Sequence, residues 1–360
     1  MTLRIIKKIV KFGHLIAVLI AFLAYGSLFI PPDKFFLASV GAFTTPFWWI
    51  YHVISGIIWF FRRKKILPLL SFLFVLIAMP IWSVTFSWNT ALKDTCDFKV
   101  FSYNVRVFNS YPEHHKGNLG IPKTMISHVS EVDADILCFQ EDYNDPRDKR
   151  RIFHTEQVFK KKGWNYVARD VKKFNPPAHQ FGLTIYSKFP ILRCESIPID
   201  AKHTNGAMYA DIQLNDSCIV RVINMHLQST YLQEKELQDP KVETKNIFSR
   251  MHRAIQRRSL QVRQLIEFAR LSPYPVIICG DLNETPYSYA YFELRSYFKN
   301  AFETRGKGFG FTYNGKLLSF LRIDHQFYSS TLQILDFQTL YQYKYSDHFP
   351  TIASYCCNKH

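Results

Sequence analysis

Two hydrophobic rhythms divide this chain. Phe12 to Ile30, Phe35 to Phe61 and Ile66 to Trp88 are long, almost unbroken apolar runs, the last two separated by the basic cluster Arg62 to Lys65. At about 1.5 Å of rise per residue, a helix of some 20 residues crosses a hydrocarbon core of about 30 Å. The pattern therefore predicts a membrane anchor over residues 1–88 with three spans, at 12–30, 35–61 and 66–88. A polar linker, 89–97, follows, and from Phe98 the rhythm changes. Short β-branched and aromatic runs then alternate with helical stretches, the signature of a mixed α/β domain over 98–357. Strands are predicted at 99–108, 134–140, 181–187, 218–227, 275–280, 322–329 and 351–355, and helices at 122–132, 152–162 and 246–271.

A cleaved signal peptide is the competing reading of the first run, but no small-residue cleavage site follows it and two more apolar runs do. Trp48, Trp49, Trp59, Trp82 and Trp88 lie in or near the ends of these runs, as interfacial anchors do. Short loops rich in Lys and Arg stay in the cytoplasm. Arg4, Lys7, Lys8 and Lys11 precede the first run and Arg62 to Lys65 separate the second from the third, whereas the first loop offers Asp33 and Lys34. The expected topology has the N-terminus inside and the α/β domain outside, which at a bacterial inner membrane means the periplasm.

Net charge is +16, unevenly spread. Residues 1–96 hold 10 Lys and Arg against 2 Asp and Glu, leaving 35 against 27 for the remainder. That moderate excess suits an anionic ligand or a membrane surface. The seven cysteines are odd in number and irregularly spaced, so neither a disulfide framework nor a zinc site is indicated. Cys138 and Cys279 lie in strand-like runs as small core residues, and the adjacent Cys356 and Cys357 are expected at a fraying surface tail.

The candidate chemistry lies where polar residues interrupt the strands. Asn104 falls in "FSYNVRVF", Glu141 ends "DILCFQE", His226 ends "VRVINMHL", and Asp281 and Asn283 end "VIICGDLN". Asp324 sits in "RIDHQF", and Asp347 with His348 opens the last strand. Strand ends are where side chains from separate strands can converge on one cleft. Singly, each is more simply a hydrogen-bonded structural group or a turn. Together they supply what phosphate ester hydrolysis needs: oxygen ligands for Mg²⁺ or Mn²⁺, a group to orient water, and imidazoles to donate to phosphoryl oxygens.

The motifs "SYNV", "QE", "NMHL", "GDLN", "RID" and "SDH", in this order, resemble those of the endonuclease/exonuclease/phosphatase superfamily, over Phe98 to about Tyr355. The resemblance implies a deoxyribonuclease I-like fold, a four-layer α/β sandwich of two packed mixed sheets flanked by helices. It also implies that Asn104, Glu141 and Asp347 serve a metal site and that His226, Asp281, Asn283, Asp324 and His348 are catalytic. In that scheme Asp281 orients or deprotonates water, Asn283 holds the phosphate and metal region, His226 contacts the scissile phosphate, and Asp324 orients His348. "FGLTIYSKFPI" and Arg258 resemble further family positions, and His325 stands where an aromatic residue is usual. Gln228 to Lys245 has no counterpart to assign.

The function expected from this reading is a membrane-anchored, divalent-metal-dependent phosphoesterase attacking phosphodiesters in line with water, nuclease-like in substrate. A phospholipid or inositol-phosphate substrate is the alternative, prompted by the anchor and by sphingomyelinase-like relatives. A catalytically silent binding module is a third, disfavoured because no site position is missing. The implied partners are a phosphodiester substrate, in nucleic acid or a lipid headgroup, and the lipid bilayer; no obligate protein partner is evident. Arg250, Arg253 and Arg257 would share one helix face, able to grip a phosphate backbone or simply solvated.

Overall fold

The computed structural model describes residues 2–92, 97–171, 180–199, 205–230, 236 and 243–357. The front segment comprises α1 (Thr2–Gly26), α2 (Leu37–Phe61), α3 (Ile66–Ile77) and α4 (Met79–Thr85), then the short strand β1 (Ser87–Trp88). After it come β2 (Phe98–Asn104), α5 (Pro112–His115), α6 (Gly120–Val129), β3 (Ile136–Asn144), α7 (Thr155–Lys161), β4 (Tyr166–Val171) and β5 (Gln180–Ser187). The second half holds β6 (Ile191–Ile197), β7 (Gly206–Asn215), β8 (Cys218–His226), α8 (Thr244–Arg270), β9 (Val276–Asp281) and α9 (Tyr289–Tyr297). It closes with β10 (Lys299–Asn300), α10 (Ala301–Arg305), β11 (Lys307–Gly308), β12 (Asp324–Tyr328), β13 (Leu332–Thr339) and β14 (Thr351–Cys357).

Two six-stranded sheets result, ordered β13-β14-β2-β3-β5-β4 and β10-β12-β9-β8-β7-β6. Both are mixed: β2 with β3 and β8 with β9 run parallel, the other pairs antiparallel. Alternate residues along each strand point to opposite faces, and here both faces are buried. Val100, Ile136 and Cys138 meet Met208, Val220 and Ile277 between the sheets. Phe101, Tyr103, Leu137 and Phe139 face outward under Met125, Val129 and Phe159 of α6 and α7. Ile223, Met225 and Ile278 face outward under Val262, Leu265 and Ile266 of α8. Three cores between four layers give the sandwich expected from the resemblance.

The predicted strands are all present, with shifted ends. The first stops at Asn104 rather than Phe108, because Arg106 to Asn109 have positive φ, between 47° and 54°, and carry the chain off the sheet. Strands β4, β6, β7 and β13, and the two-residue strands β1, β10 and β11, were not anticipated. Residues 192–196 of the edge strand β6 are all exposed, so no buried face imposes an apolar alternation there. The expected linker 89–97 and the stretch 228–245 fall partly outside the described residues.

The expectation of three membrane spans is corrected. Among the described residues one helix, Arg4–Phe29, is long and apolar enough to cross a membrane. Ile66–Ile77 with Met79–Thr85 could make at most one more, bent by 52° at the break; the 12 residues of α3 rise only ~18 Å. Helix α2 has 25 residues, but Thr44, Thr45, Pro46, Tyr51 and His52 interrupt its apolar character. The helices pair antiparallel through a buried polar cluster: Ser71 Oγ lies 3.2 Å from both His14 Nε2 and His52 Nδ1. Trp59 is buried, and Trp49 stacks on Trp82 at 5.5 Å, so these rings pack within the bundle. Antiparallel pairing puts Arg4 to Lys11 and Arg62 to Lys65 at one end of the bundle and the α/β domain at the other.

The docked end is held by specific contacts. Arg263 on α8 forks onto both carboxylate oxygens of Asp33 at 2.9 Å, and Ser259 Oγ donates to Asp33 at 2.7 Å. Buried Arg322 donates to the Val84 carbonyl, and Thr85 meets the Tyr287 hydroxyl at 2.9 Å. One apolar cluster runs unbroken from Leu28, Phe74 and Val84 to Tyr291 and Ile278.

A disulfide joins Cys218 on β8 to Cys357 on β14, which corrects the expectation of a frayed, unpaired tail. It ties one sheet to the other across 139 residues. Pairing was unreadable because the partners adjoin only once the sheets are packed. Replacing Cys357 by Ser is expected to cost ~2–4 kcal/mol, the usual effect of such a crosslink, read as a lower melting temperature, with the bridge itself verified by non-reducing peptide mapping. The Asp33 carboxyl is held at about 2, first by its hydrogen bonds to Arg263. A depressed folded value stabilises above the unfolded pKa near 3.8 and is lost as pH falls toward 2. Melting of the full-length protein should therefore lose ~1 kcal/mol between pH 4 and 2, and Asp33→Asn should lack that increment.

Candidate active site

The sandwich brings the tips of β2, β3, β8, β9, β12 and β14 to one rim, and the candidate residues with them. Asn104 Nδ2 donates to Asp281 Oδ2 at 3.1 Å and lies 3.5 Å from Glu141 Oε1. The same Asp281 oxygen is 3.6 Å from His226 Nε2 and 3.7 Å from His348 Nε2. On the other side of that ring, His348 Nδ1 is 2.8 Å from Asp324 Oδ2. Asp281, on which these groups converge, is 1% exposed. Asn283 donates its backbone N–H to Asp281 Oδ1 at 2.8 Å and its side chain to the Leu227 carbonyl at 3.1 Å. Asp347 sits at the margin, 3.5 Å from Arg106 Nε. All eight residues expected from the sequence are thus gathered in one region.

Local backbone devices aim them. The β3–β5 register shifts between Phe139 and Asp142, and Glu141 within that bulge has φ 53°, in the left-handed region. A bulge lets Gln140 stay in the interior while Glu141 turns into the cleft; left-handed φ on a non-glycine residue is strain typical of functional sites. Asn283 has φ 55°, a conformation asparagine tolerates better than most residues. Gly280 has φ 132°, and a Cβ there would lie 2.0 Å from the Met225 carbonyl oxygen. Only glycine lets β8 and β9 close up beside Asp281.

Burial and charge oppose each other in the pocket. Desolvation works against the His348 imidazolium, yet Asp324 and Asp281 outweigh it and hold its pKa well above the ordinary histidine value. Burial pushes Glu141 upward, a tendency His226 and His348 oppose and Asp347 and Asp281 reinforce. Burial raises Asp324 too, against the pull of His348. His325 is pushed down to about 3 by burial and by Arg322, so it is neutral; its Nε2 is 3.1 Å from the Glu284 carbonyl.

Several groups were not foreseen. Thr312 Oγ1 accepts from the backbone of Ile323 and Asp324, both at 3.0 Å, and Tyr313 pairs with His348 as an isolated bridge, its ring edge-on at 5.7 Å. Arg106 was foreseeable only as a cation two residues beyond Asn104. "FTYN" carries no periodic signal, and its role exists only because 312–313 fold against β12 and His348. Arg258, placed near the site by resemblance, is 2% exposed and pairs with Glu284 at 2.8 Å.

Glu141, Asn104 and Asp347 form an oxygen-only donor set. The closest polar partner of the Glu141 carboxylate among the described side chains is the long Asn104 contact. A carboxylate under desolvation, flanked by two more, fits a divalent cation such as Mg²⁺ or Mn²⁺. Asp281, Asp324 and His348 also offer ligand atoms within 4.8 Å of one another, but the Asp324–His348 hydrogen bond already engages two of them.

A sheet sandwich with this rim defines a phosphate ester hydrolase. The profile of the Endonuclease/Exonuclease/phosphatase family matches residues 101–348, well over half the sequence, and the chain belongs to that family. A separate profile, a domain of unknown function, matches residues 7–85, the helical bundle. No curated protein is a match to the sequence. Among solved structures, an endonuclease/exonuclease/phosphatase from Bacteroides vulgatus is similar at 16% identity and TM-score 0.52, covering 72% of this chain and 99% of that one. A mannosyl-6-phosphatase from Bacteroides thetaiotaomicron is similar at 18% identity and TM-score 0.50, covering 72% and 99%. The human Nocturnin catalytic domain with bound sulfate is similar at 15% and 0.50, covering 72% and 93%. At these identities the likeness is one of fold.

Gly280→Ala should cost at least ~3 kcal/mol, combining backbone strain with overpacking. A melting temperature lower by roughly 5 °C or more would bear this out; an unchanged one would show that β8 and β9 have room to part.

Proposed function

We propose that the protein is a membrane-tethered, divalent-metal-dependent phosphoesterase whose catalytic domain lies outside the cytoplasm. The observation carrying this reading is the convergence on Asp281 Oδ2: an amide at 3.1 Å and two imidazole nitrogens at 3.6 and 3.7 Å around one buried carboxylate oxygen. Glu141, Asn104 and Asp347 would hold the cation. When bound, the ion neutralises phosphoryl charge and lowers the cost of forming the leaving oxygen.

The remaining residues do the rest of the chemistry. Asp281, fixed by the Asn283 N–H and the Asn104 amide, orients the attacking water and takes its proton. His348 is kept protonated by Asp324 and donates through Nε2 to a phosphoryl oxygen. His226 approaches from the β8 side and donates to the same group. The water oxygen bonds to phosphorus as the bond to the leaving oxygen breaks; that oxygen takes a proton from solvent and departs as an alcohol, while Asp281 releases the proton it accepted to solvent. Donors aimed in advance at developing charge need no reorganisation, which is the main source of rate in such sites.

Three features support the tether and its orientation: the exposed apolar surface of α1 to α3, the basic residues at the bundle end opposite the catalytic domain, and the Cys218–Cys357 bond, which suits an oxidising compartment. A nucleic-acid substrate, expected from the family resemblance, draws less support from the arginine face of α8. Of its three arginines, Arg250 is offset by an ion pair with Glu236 at 3.0 Å.

His348→Ala should lower turnover of bis(4-nitrophenyl) phosphate by ~10³-fold or more, with the fold retained by circular dichroism even where the unpaired Asp324 lowers the melting temperature. Glu141→Gln should weaken activation by Mg²⁺ or Mn²⁺, seen as a rise in the metal concentration giving half-maximal rate. Full activity in the His348 variant would sink the proposal.

A further inference from the structure

The catalytic rim, with Asp281 1% exposed, is recessed rather than flat. It forms one end of a cavity of about 650 Å³ whose remaining lining is mostly apolar, with Ser and Thr side chains among it, and comes partly from the helical bundle. Glu141, Asp281, Asp347, His226 and His348 occupy the polar end. Opposite stand Phe36, Val40 and Phe43 of the bundle, with Met251 on α8 and Phe320 in the loop before β12. A second cavity of about 240 Å³ adjoins it, sharing Phe43, Tyr287 and Phe320, and continues along α2 past Phe47 and Ile50. Phe36, Val40, Phe43, Phe47 and Ile50 recur every three or four residues and so share one helix face. From Phe36 to Ile50 that face runs ~21 Å away from the reacting groups.

The bundle is not a loose neighbour. Phe36 packs edge-on against Phe248 at 5.2 Å and over His252 at 4.0 Å, and the Asp33 fork onto Arg263 pins the start of α2 beside the cavity. The same apolar face is open at its outer side: Val40 is 47% and Phe47 67% exposed. A polynucleotide would call for a cationic groove with stacking platforms. Among the described lining residues the arginine is Arg258, already neutralised by Glu284 at 2.8 Å.

We infer that the substrate is an amphiphile drawn from the bilayer: a lipid phosphoester whose phosphate sits at the polar rim while its hydrocarbon chain lies along α2. This rests on the phosphoesterase reading and deepens it. The helical bundle then acts as one wall of the substrate site as well as a tether, leading an apolar chain from the membrane to Asp281 and His348. Withdrawing each methylene from water is worth about fourfold in affinity, so the chain would supply most of the binding that a single phosphate cannot.

The test uses the full-length protein in lipid nanodiscs with Mg²⁺ or Mn²⁺. Ethyl, butyl, hexyl and octyl phosphate compete against bis(4-nitrophenyl) phosphate, and inhibition constants are compared between wild type and two variants, Met251→Glu and Phe320→Glu. Both positions are exposed, Met251 on a helix and Phe320 in a loop, so the two variants probe the wall independently of folding. Partition into the nanodisc is common to all proteins and cancels in the variant-to-wild-type ratio. That ratio should rise at least ~10-fold from ethyl to octyl phosphate in both variants, and Met251→Leu should return it to the wild-type line. A ratio that stays flat along the series, with bis(4-nitrophenyl) phosphate still hydrolysed, overturns the lipid assignment and leaves the phosphoesterase standing. Cleavage of a DNA oligonucleotide in preference to phospholipid overturns it as well. Absence of turnover on every phosphoester with either metal overturns the underlying reading, and the lipid assignment with it.

Discussion

The site depends on two glutamines and an asparagine that pin one sheet to the other. Gln140 Nε2 on β3 donates to Asn224 Oδ1 on β8 at 2.7 Å, and Asn224 returns hydrogen bonds to the Phe139 and Thr184 carbonyls at 2.8 and 3.0 Å. Gln326 on β12 reaches across to the Val100 carbonyl and to Thr351 Oγ1, while the Tyr355 hydroxyl donates to its Oε1. All are 1% exposed or less. Apolar packing between sheets is non-directional and tolerates sliding; buried amides do not, because each unmade bond carries the full desolvation cost. Every pin lies within two residues of a site group: Gln140 beside Glu141, Asn224 before His226, Gln326 after Asp324. The pins therefore fix the relative position of strand tips that belong to different sheets.

With the tips fixed, the pocket concentrates charge that would otherwise disperse. Four carboxylates, two imidazoles and two amides share one recessed space. Such a cluster is stable only if protonation and charge are distributed among its members. Asp324 supports the imidazolium of His348, and Asp281 sits between the two histidines. Glu141, pushed up by burial, is the carboxylate that the proposed function assigns to a cation. The strain at Glu141 and the glycine requirement at Gly280 are the backbone counterpart of this arrangement, and packing on both faces of each sheet sustains them.

The helical bundle changes what the cleft can accept. Had it been connected by a free linker, the rim would face water and a long polar polymer could cross it. Docked through Asp33, Val84 and Thr85, the bundle instead lays an apolar helix face along the cavity. Continuity of one hydrophobic cluster through both parts makes the helical bundle and the sheet layers a single packed body. On the lipid reading proposed above, that architecture makes the bundle a determinant of substrate.

The chain order of the polar strand ends and the change of rhythm near Phe98 were legible in the sequence, because strand period and motif spacing are local properties. So was the position of the eight candidate residues, each at or near the end of an apolar run read as a strand; that they meet at one rim is a matter of the fold. The number of spanning helices was misjudged, since run length says little about how Thr, His and Pro inside α2 or the bend after α3 weaken a span. Strand β6 and the Thr312 and Tyr313 contacts gave no sign, the first for want of a buried face, the others because they arise where loops fold back. The Cys218–Cys357 bond and the apolar wall from α2 were decided only by tertiary structure. Each joins residues more than a hundred positions apart, and such contacts are set by which surfaces pack together, a property no local pattern encodes.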